Sequence, residues 1–256
     1  MFFIDVQGTL LSDSDKSLIA GAKELFACLN SEKQSYVVLT NNTKNLDFLH
    51  FLREKGLQIK DKAYLDPFCV FANILKPCKI AAFGSEEFLQ SLQSLGFKFD
   101  YKEPQALLIA SYDNFSFKDF ANMIAMIKKG VKVIAMHETS IYKKDGYFYP
   151  GVGSIMLMLL NAVHFEYQVV GKPSVAFYEE ALRLLQMQDP KARFENTILI
   201  SDDFKGDLIQ AKKLGMKTVL VLSGKTSDTK GIDTNFLDAI YPSILEFTKE
   251  YNVKFR

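Results

Sequence analysis

The chain begins with MFFIDVQGTLL, residues 1–11, and this stretch directs the interpretation of everything after it. Its short apolar run ends at Asp5, and Gly8 and Thr9 follow shortly after. Such a run is typical of a buried strand in a parallel sheet, and a glycine beyond it allows a sharp turn. Ligands of open parallel sheets bind beyond the carboxyl ends of the strands, although Asp is also a common turn residue. We therefore predict a strand that presents Asp5 at its end.

Short apolar runs and amphipathic segments alternate along most of the chain. The predicted core strands are rich in Val, Ile or Leu and end in polar or small residues: FFID (2–5), SYVVLTNN (35–42), YQVVGK (167–172), NTILISDD (196–203) and KTVLVLSG (217–224). Helical periodicity predicts helices over 21–32, 174–187 and 206–215. Alternation of this kind predicts an α/β fold with a Rossmann-like parallel sheet.

The middle of the chain alternates in the same way but lacks polar strand ends of the same kind. Its segments are predicted strands at 78–84, 105–112 and 131–137 and predicted helices at 85–95 and 117–129. We interpret 78–165 as an inserted α/β cap domain within a core domain made of 1–77 and 166–256.

Composition excludes several classes of function. A net charge of +1 gives no electrostatic reason to expect nucleic acid or an anionic membrane as partner. The three cysteines and three histidines are scattered, which argues against a zinc site. The longest apolar stretch, 154–163, is too short to span a bilayer. Scattered cysteines and the lack of a signal-peptide pattern predict a cytoplasmic protein.

Complementary polar groups follow four of the predicted core strands. They are Asp5, the run Thr40, Asn41 and Asn42, then Lys172, and finally Asp202 and Asp203 with Asp207. Several carboxylates at one edge would repel each other, and a divalent cation with oxygen ligands, Mg²⁺, would remove that repulsion. The lysine, hydroxyl and amide donors match a phosphate. Each group alone could be a helix cap or a loop residue, and only the whole set indicates a phosphate site.

The ordered motifs DVQGTL (5–10), LTNNT (39–43), GKPS (171–174) and SDDFKGD (201–207) resemble the four motifs of the haloacid dehalogenase superfamily of phosphotransferases. The first motif of that superfamily is DxDGT. The inserted block resembles the type-two cap of its NagD-like subgroup, and the resemblance extends over essentially the whole chain. It implies a magnesium-dependent phosphatase or phosphotransferase that acts on a small phosphorylated metabolite.

The resemblance also implies a role for each matched residue. Asp5 is expected to be the nucleophile that forms an aspartyl phosphate. Mg²⁺ is expected to be held by Asp5, the backbone carbonyl of Gln7 and Asp202, with Asp207 acting through water or as a supporting partner.

Phosphate contacts are expected from the groups after the second and third core strands. Thr40, Asn41 and Asn42 would orient the phosphoryl oxygens, and Lys172 would neutralise charge on the nucleophile and the transferred group. Two residues at the ends of cap strands, Asp113 and His137, are the candidates for substrate contact. His137 stands where the subgroup usually has Asn, and a solvated histidine at a strand end is the alternative reading.

Gln7 departs from the motif, because the superfamily has there the acid that protonates the leaving group. An amide does not titrate, and general acid–base help is typically worth about 10²–10⁴ in rate. Two hypotheses follow: a phosphatase of reduced efficiency, or a non-catalytic protein that binds a phosphorylated ligand. Exposed-looking cap aromatics, including Tyr147 and Tyr149, suit either closure over substrate or a homodimer through the cap.

Overall fold

The computed structural model describes residues 1–144 and 146–254, which form two parallel sheets, a hairpin and the helices around them. The strands are β1 (Phe2–Asp5), β2 (Tyr36–Leu39), β3 (Tyr64–Leu65), β4 (Lys79–Phe83), β5 (Lys98–Phe99), β6 (Ala106–Ile109), β7 (Lys132–Ala135), β8 (Ile141–Lys144), β9 (Tyr147–Pro150), β10 (Tyr167–Val169), β11 (Ile198–Ser201), β12 (Lys217–Val221) and β13 (Ala239–Tyr241). The α-helices are α1 (Ala22–Ser31), α2 (Phe48–Glu54), α3 (Pro67–Ile74), α4 (Glu86–Ser94), α5 (Phe117–Lys128), α6 (Val152–Ala162), α7 (Val175–Gln186), α8 (Ile209–Lys213) and α9 (Ile244–Lys254). A π-helical turn over Phe204–Leu208 precedes α8. The predicted α/β class is confirmed.

The first sheet has the strand order β13-β12-β11-β1-β2-β3, and its pairs are all parallel. Four of the predicted core strands, β1, β2, β11 and β12, lie in it. The chain continues from β1 to β2 on one side, whereas β11 pairs with β1 on the other, so a topological switch point lies between β1 and β11. Asp5 ends β1 and Asp202 directly follows β11, which places both at this point.

The second sheet has the parallel order β10-β7-β6-β4-β5, and β4, β6 and β7 correspond to the predicted cap strands. The prediction that YQVV belongs to the core sheet is wrong. This stretch forms β10, which pairs with β7 through Tyr167↔Val133 and Val169↔Ala135. A short apolar run carries no signal for which of two sheets it joins. The predicted domain boundary at 165 therefore falls before the last strand of the second sheet.

One buried apolar cluster joins the two sheets. It includes Phe3 and Leu39 from the first sheet and Ile80 and Leu108 from the second, together with residues of α3, α4 and α7. Side chains alternate along a strand, so the neighbours of these residues point to the outer faces. There the first sheet is covered by α1 and α9, and the second by α5 and α6. The two sheets therefore share a core rather than meeting at a polar boundary.

The hairpin of β8 and β9 was not predicted from the sequence, and it contacts α6. Its antiparallel register pairs Ile141 with Pro150. Tyr147 and Phe148 are exposed, whereas Tyr149 is half-buried and stacks on Tyr142 with ring centroids 5.6 Å apart. A homodimer through these aromatics stays a prediction. Among the described residues, no helix combines the length and the hydropathy needed to cross a bilayer.

Candidate active site

Asp5 is buried at the carboxyl end of β1, where two side chains contact its carboxylate. Thr9 Oγ1 donates to Asp5 Oδ2 at 3.2 Å, and Lys172 Nζ donates to Asp5 Oδ1. Thr9 also accepts a hydrogen bond from the backbone amide of Asp202 at 3.1 Å. Gly8, with φ +75°, makes the left-handed turn that brings Thr9 back to the strand end. The opening motif therefore folds into one polar corner between β1 and β11.

Lys172 lies between two buried carboxylates. Its Nζ contacts Asp5 Oδ1 and lies 2.7 Å from Asp207 Oδ2, and Ser201 Oγ donates to the same Asp207 oxygen at 2.7 Å. Burial alone would lower the pKa of the Lys172 ammonium, but the charges of Asp207 and Asp5 outweigh it and raise that pKa. Burial raises the pKa of Asp207 to about 6, against the opposing charge of Lys172. Lys172 therefore stays charged at neutral pH.

The side chain of Asn41 clamps the backbone of Lys172. Asn41 Oδ1 accepts from the Lys172 amide at 2.8 Å, and Asn41 Nδ2 donates to the Lys172 carbonyl at 3.3 Å and to Thr139 Oγ1 at 3.0 Å. A Cβ on Gly171 would lie 2.6 Å from Asn41 Oδ1, so the clamp requires glycine there. Asn41, which follows β2, thereby fixes a loop that follows β10 of the other sheet.

Asp202 is held in a cradle made by two glycines. A Cβ on either Gly8 or Gly224 would collide with Asp202 Oδ2, and the same oxygen accepts a hydrogen bond from the backbone amide of Lys225. Burial raises the pKa of Asp202 well above its usual range, and the nearby charge of Asp5 raises it further. The two carboxylates that end β1 and β11 therefore repel each other.

The loop after β12 forms another wall of the site. Lys225 Nζ pairs with Asp203 Oδ2, and Thr226 donates its backbone amide to the Asp202 carbonyl at 3.1 Å. No role was predicted for this loop. Ligands of parallel sheets bind beyond the carboxyl ends of the strands, and Lys225 follows the carboxyl end of a core strand just as Asp5 ends one.

Gln7 and Thr40 are joined by a side-chain hydrogen bond. Thr40 Oγ1 donates to Gln7 Oε1 at 2.9 Å and accepts from the backbone amide of Asn42 at 3.1 Å. Thr40 is fully buried, and Gln7 is half-buried. The single proton of the Thr40 hydroxyl is therefore directed at Gln7 in this structure.

Two family models match the chain, one in its N-terminal part and one in its C-terminal part. The model described as haloacid dehalogenase-like hydrolase matches residues 2–98, and the one described as HAD-hydrolase-like matches residues 169–246. The chain belongs to the haloacid dehalogenase (HAD) superfamily. The matched segments contain Asp5, Lys172 and Asp207, the three residues that meet in the buried charge cluster.

Individual proteins are similar to this HAD chain in sequence and in structure over nearly its whole length. The chain is 23% identical to ribonucleotide monophosphatase NagD of Escherichia coli K12, over 94% of this chain and 95% of that protein. It is 23% identical to dihydroxyacetone phosphatase of Corynebacterium glutamicum, over 90% of this chain and 83% of that protein. The structure of p-nitrophenyl phosphatase from Archaeoglobus fulgidus matches with a TM-score of 0.82 at 22% identity, over 97% of this chain and 98% of that one. These matches support the NagD-like subgroup.

The two residues predicted to contact substrate in this HAD chain lie in different environments. Asp113 is exposed in the loop after β6, and the small cavity that it helps to line contains Phe120, Tyr149 and Ile155 rather than the residues around Asp5. The reading of His137 as a solvated histidine is wrong, because only 5% of it is exposed. His137 follows β7 of the second sheet. Direct contact with substrate stays a prediction for both residues.

His137 is held neutral by its surroundings. The Thr139 amide donates to Nδ1 at 3.3 Å, so Nε2 carries the proton and donates to Ser111 Oγ at 2.9 Å. Its pKa is lowered to about 3, mainly by burial and in addition by the charges of Lys225 and Lys172. An Nε2 that donates to Ser111 is not a base for it, so this pair is not a Ser–His nucleophile dyad.

The described residues contain no cluster of three or more His, Cys, Asp or Glu side chains arranged to hold a metal ion. Of the predicted ligands, Asp5 and Asp202 are neighbours across the switch point, and Asp207 binds Lys172 and Ser201. A cation here would need backbone oxygen as well as the two carboxylates.

Proposed function

We propose that the chain is a magnesium-dependent phosphatase or phosphotransferase that uses Asp5 as nucleophile on a small phosphorylated metabolite. The observation that carries this proposal is the buried charge cluster at the switch point, where Lys172 joins Asp5 to Asp207. A carboxylate held beside an ammonium group at a ligand-binding edge suits phosphoryl transfer, which depends mainly on positioning and charge compensation. The phosphatase names of the similar proteins support the same reaction class.

The residues around Asp5 fit a Mg²⁺ ion. Asp5 and Asp202 supply carboxylate oxygens whose mutual repulsion a cation would relieve. The backbone carbonyl of Gln7 would be the third ligand. The β-bridge between Gln7 and Leu11 is made through the carbonyls of Val6 and Leu11, so it does not use the Gln7 carbonyl. When bound, the ion would neutralise charge on the phosphoryl oxygens. Asp207 would contribute by holding Lys172.

The reaction would proceed in two displacements at phosphorus. A carboxylate oxygen of Asp5 attacks, the bond from phosphorus to the leaving oxygen breaks, and that oxygen takes a proton from solvent water. Water then attacks the aspartyl phosphate and loses a proton to solvent, and the bond between phosphorus and Asp5 breaks. Lys172 offsets the negative charge in both steps, and Asn41 keeps it in place. Thr40 and Asn42 are the further groups proposed to orient the phosphoryl oxygens.

Gln7 is proposed to limit the rate, because its amide cannot exchange the proton that the leaving oxygen needs. Phosphates whose leaving groups have low pKa values, such as aryl and acyl phosphates, need little protonation. We therefore expect them to be the better substrates.

A second candidate is a non-catalytic protein that binds a phosphorylated ligand. The hydrogen bond from Thr40 to Gln7 favours it, because this bond ties up a hydroxyl proposed to orient phosphate. The retained Lys172 and Asp5 would still permit binding of a metal ion and a phosphate.

Hydrolysis of p-nitrophenyl phosphate with Mg²⁺, at high protein concentration, tests the proposal. We expect slow turnover that requires Mg²⁺ and that the Asp5→Asn variant lacks, with acetyl phosphate hydrolysed as well. Asp5→Asn is nearly isosteric, so an unchanged melting temperature would show that the variant folds. Turnover that survives in Asp5→Asn would assign the activity to a contaminant. A wild-type chain that binds Mg²⁺ and phosphate without turnover would support the second candidate.

A further inference from the structure

Lys225 brings a second ammonium group to the acidic site. Its Nζ pairs with Asp203, whose other carboxylate oxygen caps the π-helical turn by accepting from the Gly206 amide at 2.8 Å. The backbone amide of Lys225 donates to the Asp202 carboxylate. One residue therefore contacts both members of the acid pair that follows β11.

The charge of Lys225 also affects groups other than Asp203, the residue with which it forms an ion pair. Burial alone would lower the pKa of its ammonium, but Asp203, and then Asp202 and Asp207, raise it. The same ammonium lowers the pKa of His137, which follows β7 of the second sheet. The charge of Lys225 therefore acts on the acidic corner and on the end of the second sheet.

The charges of the site can be counted from its buried and half-buried groups. They comprise four carboxylates and two ammonium groups, a formal charge of −2: Asp5, Asp202, Asp203 and Asp207 with Lys172 and Lys225. One divalent cation neutralises that charge. Without the Lys225 ammonium, the formal charge would be −3, which favours a cation and disfavours a phosphate dianion.

We infer that Lys225 is a positioning and charge-setting residue of the phosphate site, whose ammonium group balances the affinity for a divalent cation against the affinity for phosphate. This inference rests on the proposed function. It differs from a purely structural role in one respect: loss of the ammonium must change the two affinities in opposite directions. A distorted site would weaken both.

Calorimetric titration of the full chain at pH 8 tests this inference, first with Mg²⁺ alone and then with inorganic phosphate at saturating Mg²⁺. Lys225→Met keeps the backbone amide on Asp202 and the length of the side chain. We expect Mg²⁺ to bind about tenfold more tightly and phosphate about tenfold more weakly, the size of effect that one unit charge has at an effective dielectric constant near 20–40. Lys225→Arg keeps the charge and should leave both affinities within about threefold of wild type.

Two further variants separate charge from packing. Lys205→Met removes the same charge from an exposed position in the neighbouring π-helical turn and should change neither affinity by more than about twofold, because solvent and salt screen it. Asp203→Asn combined with Lys225→Met removes both members of the pair and restores the charge of −2. This double variant should return both affinities towards wild type, and its melting temperature shows whether the fold tolerates the change.

Weakening of both affinities in Lys225→Met, or no change in either, would overturn the role of Lys225 and leave the proposed function intact. A wild-type chain that binds neither Mg²⁺ nor phosphate would overturn both. If the two affinities of Lys225→Met shift in opposite directions and the wild-type chain shows no turnover, the role of Lys225 would be confirmed and the site would be assigned to binding.

Discussion

The two parallel sheets have the same kind of switch point but place different residues there. In the first sheet, Asp5 and Asp202 meet at the ends of β1 and β11. In the second, Gly84 and Ala110 follow β4 and β6, and a Cβ on Gly84 would collide with the Phe88 ring and lie 3.1 Å from the Ala110 Cβ. One crevice is lined by charge, and the other is filled by packing. Topology thus supplies a candidate crevice, and the residues at the strand ends decide its use.

The second sheet also ends in neutral groups where the first ends in charged ones. Ser111 and His137 follow β6 and β7 and bind each other, and His137 is neutral. Lys172, three residues after β10, is the contribution of the second sheet region to the charged corner. The contrast between the two edges leads to three predictions.

Lys172→Met should reduce the difference between the two sheet edges most strongly. It removes the ammonium group that follows β10 of the second sheet and contacts the carboxylates at the edge of the first. We expect kcat for p-nitrophenyl phosphate to fall about 10²–10³-fold, the size of effect seen when one group that stabilises transition-state charge is lost. Two buried carboxylates would lose their partner, so thermal stability should fall too. Lys172→Arg is the control that keeps the charge. Equal activity of Lys172→Met and wild type would remove Lys172 from the chemistry.

Gln7→Asp sharpens the contrast by adding a titratable group to the charged edge. Activity should rise at least about tenfold, within the usual range of general acid–base catalysis, and should gain a dependence on pH. Gln7→Asn shortens the side chain equally without adding an acid, so it should show no such gain. Equal rates for Gln7→Asp and Gln7→Asn would mean that another group supplies the proton or that a different step limits the rate.

His137→Gln tests the neutral edge, and its expected effect on stability is the smallest of the three and appears only in acid. The folded pKa of His137, about 3, lies below its unfolded value of about 6.5, so the unfolded chain binds the proton first as pH falls. Its contribution to stability is full above pH 6.5 and declines as pH falls towards 3, by about 2 kcal/mol at pH 5.

Urea unfolding of wild type and His137→Gln at pH 7 and pH 5 measures this difference directly. Wild type should lose about 2 kcal/mol more than the variant between the two pH values. Parallel losses of stability would show that His137 titrates normally in the folded state.

Most of the polar residues at the strand ends of the first sheet could be predicted from the sequence, because each depends only on the apolar run that precedes it. Asp5, Thr40 and Asp202 each follow or end an apolar run whose length and composition identify a strand in the first sheet. The carboxyl ends of parallel strands then meet without any knowledge of side-chain packing. Lys225 was accessible by the same rule and was missed, since its loop matches no motif that carries a role.

The remaining features depend on contacts between distant parts of the chain. The membership of β10 in the second sheet is set by its pairing with β7. The clamp of Asn41 on Lys172 joins residues 131 positions apart, and the burial of His137 depends on how the two sheets pack. Periodicity reports a residue's own element and carries no information on such partners.

Lys172 also links the two sheets, because it lies three residues after β10 and contacts Asp5 at the end of β1. Any rotation that separated the second sheet from the first would pull on Lys172, which the Asn41 clamp holds beside Asp5. Separation would first have to break the buried contacts of Lys172 with Asp5 and Asp207, and breaking a buried ion pair typically costs about 3–5 kcal/mol. The ammonium group proposed to serve the chemistry thus also holds the two sheets together through two buried ion pairs.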